Sequence, residues 1–218
     1  MPPLSTRPSN PLALAVLVLL AERPMHPYEM ASTLKQRGKE QSIRLNYGSL
    51  YTVIEQLMKK KWITERETLK EGNRPEKTVY EMTPAGDEAS ISWMRELISA
   101  PAKEYPQFEA ALSLIPVLPP EEVVSLLEIR IGLLDQTLEK IKKEHEMCQQ
   151  IKLPRLFMIE SEYFKMMTEA DRAFSEKLMN DIKKNVGSLK TFWTDLRKTA
   201  LKAKKTKVPK KIKETRYD

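Results

Sequence analysis

A chain of 218 residues that is 41% hydrophobic and 31% charged is long enough for one large domain or two small ones with real cores. A single cysteine and two histidines exclude an intramolecular disulfide and a cysteine-based metal cage, and leave little from which to build a histidine-centred catalytic or metal site. The net charge of +7 is not by itself a nucleic-acid signature: residues 200–218 hold 8 Lys/Arg against 2 Asp/Glu, and the remainder is nearly neutral.

Residues 1–10, rich in Pro and Ser, read as a flexible arm. Asn10 can cap a helix with Pro11 at its first position. The run LALAVLVLLAER that follows is apolar on nearly every side, so it belongs in a core and, by expectation, against a partner chain through Leu14 and Leu17. Its apolar part, Leu12 to Ala21, is about half of the roughly 20 residues a membrane helix needs. Glu22, Arg23 and Pro24 follow it without a small-x-small cleavage site, which argues against a secretory signal and for a cytoplasmic protein.

His26-Pro27 starts a second helix, from Tyr28 to about Arg37, with Met30, Ala31 and Leu34 inward and Gly38 as its stop. Asn46 or Ser49 caps a third, running to about Lys60. Leu50, Val53, Ile54 and Leu57 share one side of it. Gly48, Ser49, Thr52, Gln56 and Lys59 share the other, flanked by Tyr51 and Glu55. WITERETL and KTVYEM then alternate around EGNRP, the pattern of a two-stranded hairpin. Thr83-Pro84 opens a fourth helix, to about Ile98.

Three helices, a hairpin and a helix in this order predict a winged helix-turn-helix over residues 11–99, the third helix reading DNA and the hairpin serving as wing. Gly48 and Ser49 are small enough for close backbone approach to phosphate. Asn46, Tyr51, Thr52, Gln56 and Lys59 are polar enough for phosphates or base edges. Asn73, Arg74 and Lys77 cluster at the wing and suit a phosphate or a minor groove. An ordinary capped amphipathic helix and a solvated turn are the plainer readings of each element taken alone.

After a linker around 99–106 the chain becomes helical. Pro119-Pro120-Glu121-Glu122 opens a long helix on which Val124, Leu127, Ile131, Leu134, Leu138 and Ile141 recur at spacings of three and four. This is a helix-pairing seam, expected here to join two protomers across a dimerisation domain over 105–198. His145 and Cys148 continue the series as packing residues rather than metal ligands. Pro154 breaks the helix. A second carries Leu156, Ile159, Tyr163, Met166, Ala170, Phe174, Leu178 and Ile182, and is read as extending past Gly187 toward Trp193 and Leu196. Residues 199–218 read as a basic tail, disordered in isolation, which could add non-specific DNA affinity or be merely solvated.

The runs LALAVLVLLAERPMHPYEMASTLKQ, YGSLYTVIEQLMKKKWI and GNRPEKTVYEMTPAG resemble the PadR-like transcriptional regulators. FEAALSLIPVLPPEEVVSLLEIRIGLL resembles the helical C-terminal domain of their two-domain, virulence-activator (AphA-like) subfamily. The resemblance spans about residues 10–190. Thr52 stands where the pattern usually has proline, Pro27 where it has glycine, and Lys61-Trp62 where it has Gly-Leu.

The resemblance implies a homodimer, mainly α with a small hairpin, that binds double-stranded DNA and more often represses than activates. It points to Ser49, Tyr51, Arg74 and Lys77 as contacts. Some members release DNA on binding small aromatic or hydrophobic effectors. Trp93 and Met94 are candidates for such contact, with core packing the plainer reading. No cofactor, metal, membrane partner or enzymatic activity is expected: the sequence has no glycine-rich phosphate loop and no nucleophile beside a base. The alternative is a helical scaffold protein without DNA binding, which would account for residues 105–198 but leave the third helix and the hairpin unexplained.

Overall fold

The computed structural model describes residues 10–69 and 77–206. Contacts divide the chain into two units between Glu104 and Tyr105.

The first unit holds α1 (Pro11–Glu22), α2 (Pro27–Gln36), a short 3-10 turn (Lys39–Gln41), α3 (Tyr47–Lys59), β1 (Ile63–Leu69), β2 (Lys77–Met82) and α4 (Pro84–Ser99). The Asn10 side chain accepts from the Leu12 N–H at 3.0 Å and so starts α1. Eight of its residues are buried, and α2, α3, β2 and α4 all pack on it. Leu17, Met30, Leu50, Leu57 and Ile63 lie fully inside the resulting core. An all-apolar helix is stable in water only when surrounded in this way.

β1 and β2 are antiparallel, with a bulge between Glu65 and Glu67 that leaves Arg66 as the extra residue. Met25 forms a bridge to Tyr80, tying the α1–α2 link to the hairpin. Thr83 fixes the start of α4. Its hydroxyl donates toward the carbonyls of Lys61 and Trp62 at 2.8 and 3.1 Å, and accepts from the Gly86 N–H at 3.1 Å. A Cβ on Gly86 would stand 2.0 Å from the Trp62 carbonyl oxygen, so this close approach admits only glycine. Lys61 ends α3 in the left-handed region, at φ 58°. The Trp62 N–H bonds back to the Leu57 carbonyl there, a reversal that glycine usually supplies.

The second unit holds α5 (Gln107–Ser113), a 3-10 turn (Ile115–Val117), α6 (Pro120–Gln150), another such turn (Arg155–Phe157), α7 (Ile159–Lys183), a turn at Val186–Ser188, and α8 (Leu189–Thr206). α6 and α7 pack along each other. Two crossed ion pairs hold their register: Arg130 of α6 with Asp171 of α7, and Arg172 of α7 with Asp135 of α6. At the far end of the hairpin, the His145 Nε2 and the Ser161 hydroxyl are 2.8 Å apart.

Val123, Leu127, Ile182 and Trp193 form the small core of this unit. The Trp193 Nε1–H donates to the Leu118 carbonyl at 3.0 Å. Arg197 donates to the carbonyls of Pro116 and Val117.

Two expectations change here. The second long helix does not continue past Gly187. Asn185, Gly187 and Ser188 all adopt positive φ, which breaks the helix, and Asn185 restarts it by accepting from the Thr191 N–H at 3.1 Å. The tail predicted from residue 199 is helical to Thr206, because Ala200 to Lys205 are strong helix formers continuing an anchored helix. The rest of that tail, 207–218, and the arm before Asn10 lie outside the described residues.

Candidate nucleic-acid interface

α3 has two chemically distinct sides. Leu50, Val53, Ile54 and Leu57 are buried; Gly48, Tyr51, Thr52, Glu55, Gln56 and Lys59 are exposed. Asn46 is the cap, its Oδ1 accepting from the Ser49 N–H at 2.7 Å. Ser49 is half-buried behind it. The Thr52 hydroxyl donates to the Gly48 carbonyl at 3.0 Å. A Cβ on Gly48 would meet nothing nearer than Asn46 Oδ1 at 3.6 Å, so nothing inside the protein requires glycine there. The open space over this first turn lets another molecule reach the backbone.

The sequence did not disclose an aromatic pair beside this turn. Tyr28, at the start of α2, and Tyr47, at the start of α3, stack with ring centroids 6.3 Å apart and an interplanar angle of 11°. Both rings are exposed, at 66% and 55%. Tyr51 follows Tyr47 by one turn and is also exposed. With Ser32, Lys35, Asn46 and one acid, Glu40, the pair lines a cavity of about 250 Å³. Two exposed aromatic residues, each at a helix start, were the available signal, but their stacking is an interhelical contact that no periodicity displays.

The electrostatics differ along α3. Burial, then the charge of Glu65 and the neighbourhood of Tyr51 and Glu55, push the Tyr80 hydroxyl up from its ordinary value. Acidic groups therefore gather where the second half of α3 meets the hairpin. The first half, from Asn46 to Thr52, carries no acid and is the part that suits phosphate.

Of the wing residues, Asn73 and Arg74 lie outside the described residues. Lys77 begins β2, its backbone paired with Leu69.

The expected dimer residues differ in what they leave accessible. Leu17 is fully buried and Leu14 nearly so, both in the core of their own unit, so Leu17 has no surface left for a partner. On α6, Leu127 and Ile141 are buried, and Val124, Ile131, Leu134 and Leu138 half-buried, on a helix that packs along α7 of the same chain. The half-buried members of this seam keep part of their surface open beyond the packing on α7. Exposed apolar residues are found elsewhere: Leu126, Ile129 and Leu133 on α6, and Ile159, Tyr163, Met166 and Phe174 on α7.

Of the two effector candidates, Trp93 is buried in the first core. Met94 is exposed in a shallow groove with Val18, Ile91 and Ile98. Among the described residues, no group of three His, Cys, Asp or Glu side chains is placed to hold a metal, and no helix is long and apolar enough to cross a membrane.

Residues 16–90 match the transcriptional regulator PadR-like family, whose members are regulators rather than enzymes. No curated protein matches the chain. Several solved structures share its fold, three of them informative here. Bacillus subtilis PadR in complex with operator DNA is 18% identical at a TM-score of 0.62, covering 81% of this chain and 99% of its own. The same protein in complex with p-coumaric acid is 17% identical at 0.63, covering 79% and 98%. The Vibrio cholerae virulence activator AphA is 13% identical at 0.61, covering 79% and 98%.

Proposed function

We propose, for a chain whose residues 16–90 are a PadR-like regulator domain, that it is a homodimeric repressor binding an inverted-repeat operator. One observation carries the reading. α3 buries one side completely and offers a capped, acid-free, sterically open first turn on the other. Such a turn can enter a major groove, with Gly48 at the phosphate backbone and Tyr51, Thr52 and Gln56 over base edges. Ser49, behind the cap, supports the turn. Tyr28 and Tyr47 donate their hydroxyls to flanking phosphates, and Lys59, Asn73, Arg74 and Lys77 supply charge along the backbone.

The two protomers pair through apolar residues of α6 and α7, the exposed Leu133 and Met166 together with the half-buried Val124, Ile131, Leu134 and Leu138. Two-fold symmetry then sets half-sites about one or two helical turns apart. That a PadR in the same fold has been seen with p-coumaric acid favours control by a small hydrophobic or aromatic effector. It would act by binding two states of the dimer unequally. A regulator of this kind works in the cytoplasm.

Footprinting on the promoter of its own gene tests the reading. A protected inverted repeat is expected, weakened by salt and lost in Tyr51→Ala with the dimer intact. No protection at low salt would leave the helical scaffold as the better account.

A further inference from the structure

The second unit contains a cleft that the DNA-binding reading does not use. It measures about 370 Å³ and lies between α5, the turn after it and the first turns of α6. Its wall is made of branched aliphatic side chains, Leu112, Ile115, Val117, Leu126 and Leu127 among them, with Arg130 as its one charged residue. Leu114 and Val117 also line it while remaining 70% and 77% exposed. Apolar side chains left so open beside a concave apolar surface lose little by accepting an apolar guest.

The chemistry of Arg130 narrows the guest. Asp171 takes its Nε and Nη2 and so fixes the plane of the guanidinium. Nη1 makes no hydrogen bond to a described residue and remains as a donor for a ligand. The Arg130 guanidinium lies 3.6 Å from the centroid of the cleft's one ring, Phe108, and Phe174 stands T-shaped to that ring. An aromatic ligand would compete with the guanidinium for the covered face, whereas the aliphatic wall is open.

We propose that this cleft binds a small aliphatic carboxylic acid, of about ten non-hydrogen atoms given a volume near the lower end of ligand pockets. Its chain lies against the leucine and isoleucine wall, and its carboxylate accepts from Arg130 Nη1. Because Asp171 already balances the arginine, the acid is held by a directed hydrogen bond and apolar burial rather than by net charge. The affinity is correspondingly modest. The assignment rests on the cleft alone: loss of operator binding would remove the regulator reading and leave it standing.

Calorimetric titration of the full-length protein with octanoate tests it. Octanoate is expected to bind, octanamide about ten-fold more weakly for want of the charge-assisted bond, and cinnamate more weakly than octanoate. Ala111→Phe, an exposed position on the cleft wall, fills the space without touching the core. It should weaken octanoate by about ten-fold or more while leaving the thermal melt and the sedimentation mass unchanged. Val117→Trp, in the opposite wall, should do the same.

Four outcomes overturn the proposal. Octanoate giving no heat at millimolar concentration is one, and octanoate binding both variants as it does wild type is another. Cinnamate binding more tightly than octanoate would sink the aliphatic assignment. Variants that alter the oligomer mass would mark the cleft as a surface between copies of this chain.

Discussion

The two units solve the problem of burying apolar surface differently. In the first, α1 is sheathed by four other elements, and Leu17, Met30, Leu50 and Leu57 have essentially no contact with solvent. In the second, the core is four buried residues, while Leu133, Tyr163, Met166 and Phe192 stand exposed on helices. The first unit fills its core, although Val18, Ile91, Met94 and Ile98 leave an apolar strip open beside it. The second has a thin core and a larger share of its apolar side chains in solvent, the condition that drives association. The lesson is that apolar periodicity marks surfaces needing cover, and only the fold decides whether the same chain supplies it.

The largest effect should come from overfilling the packed core of the first unit. Gly86→Ala forces a methyl into the Trp62 carbonyl and should cost roughly 3 kcal/mol, read from the urea midpoint of unfolding. A cost near zero would mean that the packing at the start of α4 is slack. Next comes the second unit. Leu133→Asp with Met166→Asp should bring the sedimentation mass down to one protomer, and operator affinity down by about ten-fold or more as the two-site grip is lost. A wild-type protein already monomeric at micromolar concentration would end the contrast between the units.

A smaller effect, of opposite sign, belongs to Lys61→Gly. Relieving a left-handed lysine should stabilise the first unit by about 1 kcal/mol, seen as a higher urea midpoint. The smallest is electrostatic. Hydrogen bonding from Arg155 holds the Glu162 carboxyl below its ordinary value. Its contribution is therefore present above the unfolded carboxyl pKa and is lost as pH falls through the lower, folded one. Since both groups are solvent-exposed, Glu162→Gln should leave the melt at neutral pH nearly unchanged and only flatten its acid limb.

Much of this was legible because local chemistry specified it. Asn10, Asn46 and Thr83 cap the helices their positions suggest. The alternation of WITERETL and KTVYEM forms a hairpin, and Leu50, Val53, Ile54 and Leu57 lie on the buried side of α3. What periodicity leaves open is the partner. Val124 to Ile141 marks a packing stripe, and a stripe does not say how its surface is shared between α7 and a second chain. Leu17 shows the same ambiguity. The Tyr28–Tyr47 stack and the ring of Phe108 beneath Arg130 join residues of different elements, which no periodicity along one element can report. The turn at Asn185–Ser188 escaped because only one of its three positive-φ residues is glycine.

The bond from Trp193 to Leu118 spans 75 positions of the chain. During synthesis the first unit holds all its pieces once residue 99 has emerged, whereas the second must wait for α8 before Leu118, Val123 and Leu127 are covered. In that interval α6 and α7 of a nascent chain are sticky and within reach of a sister polypeptide on the same messenger. For the homodimer proposed above, an anchor placed so late predicts that pairing begins on the ribosome, with the first unit already folded.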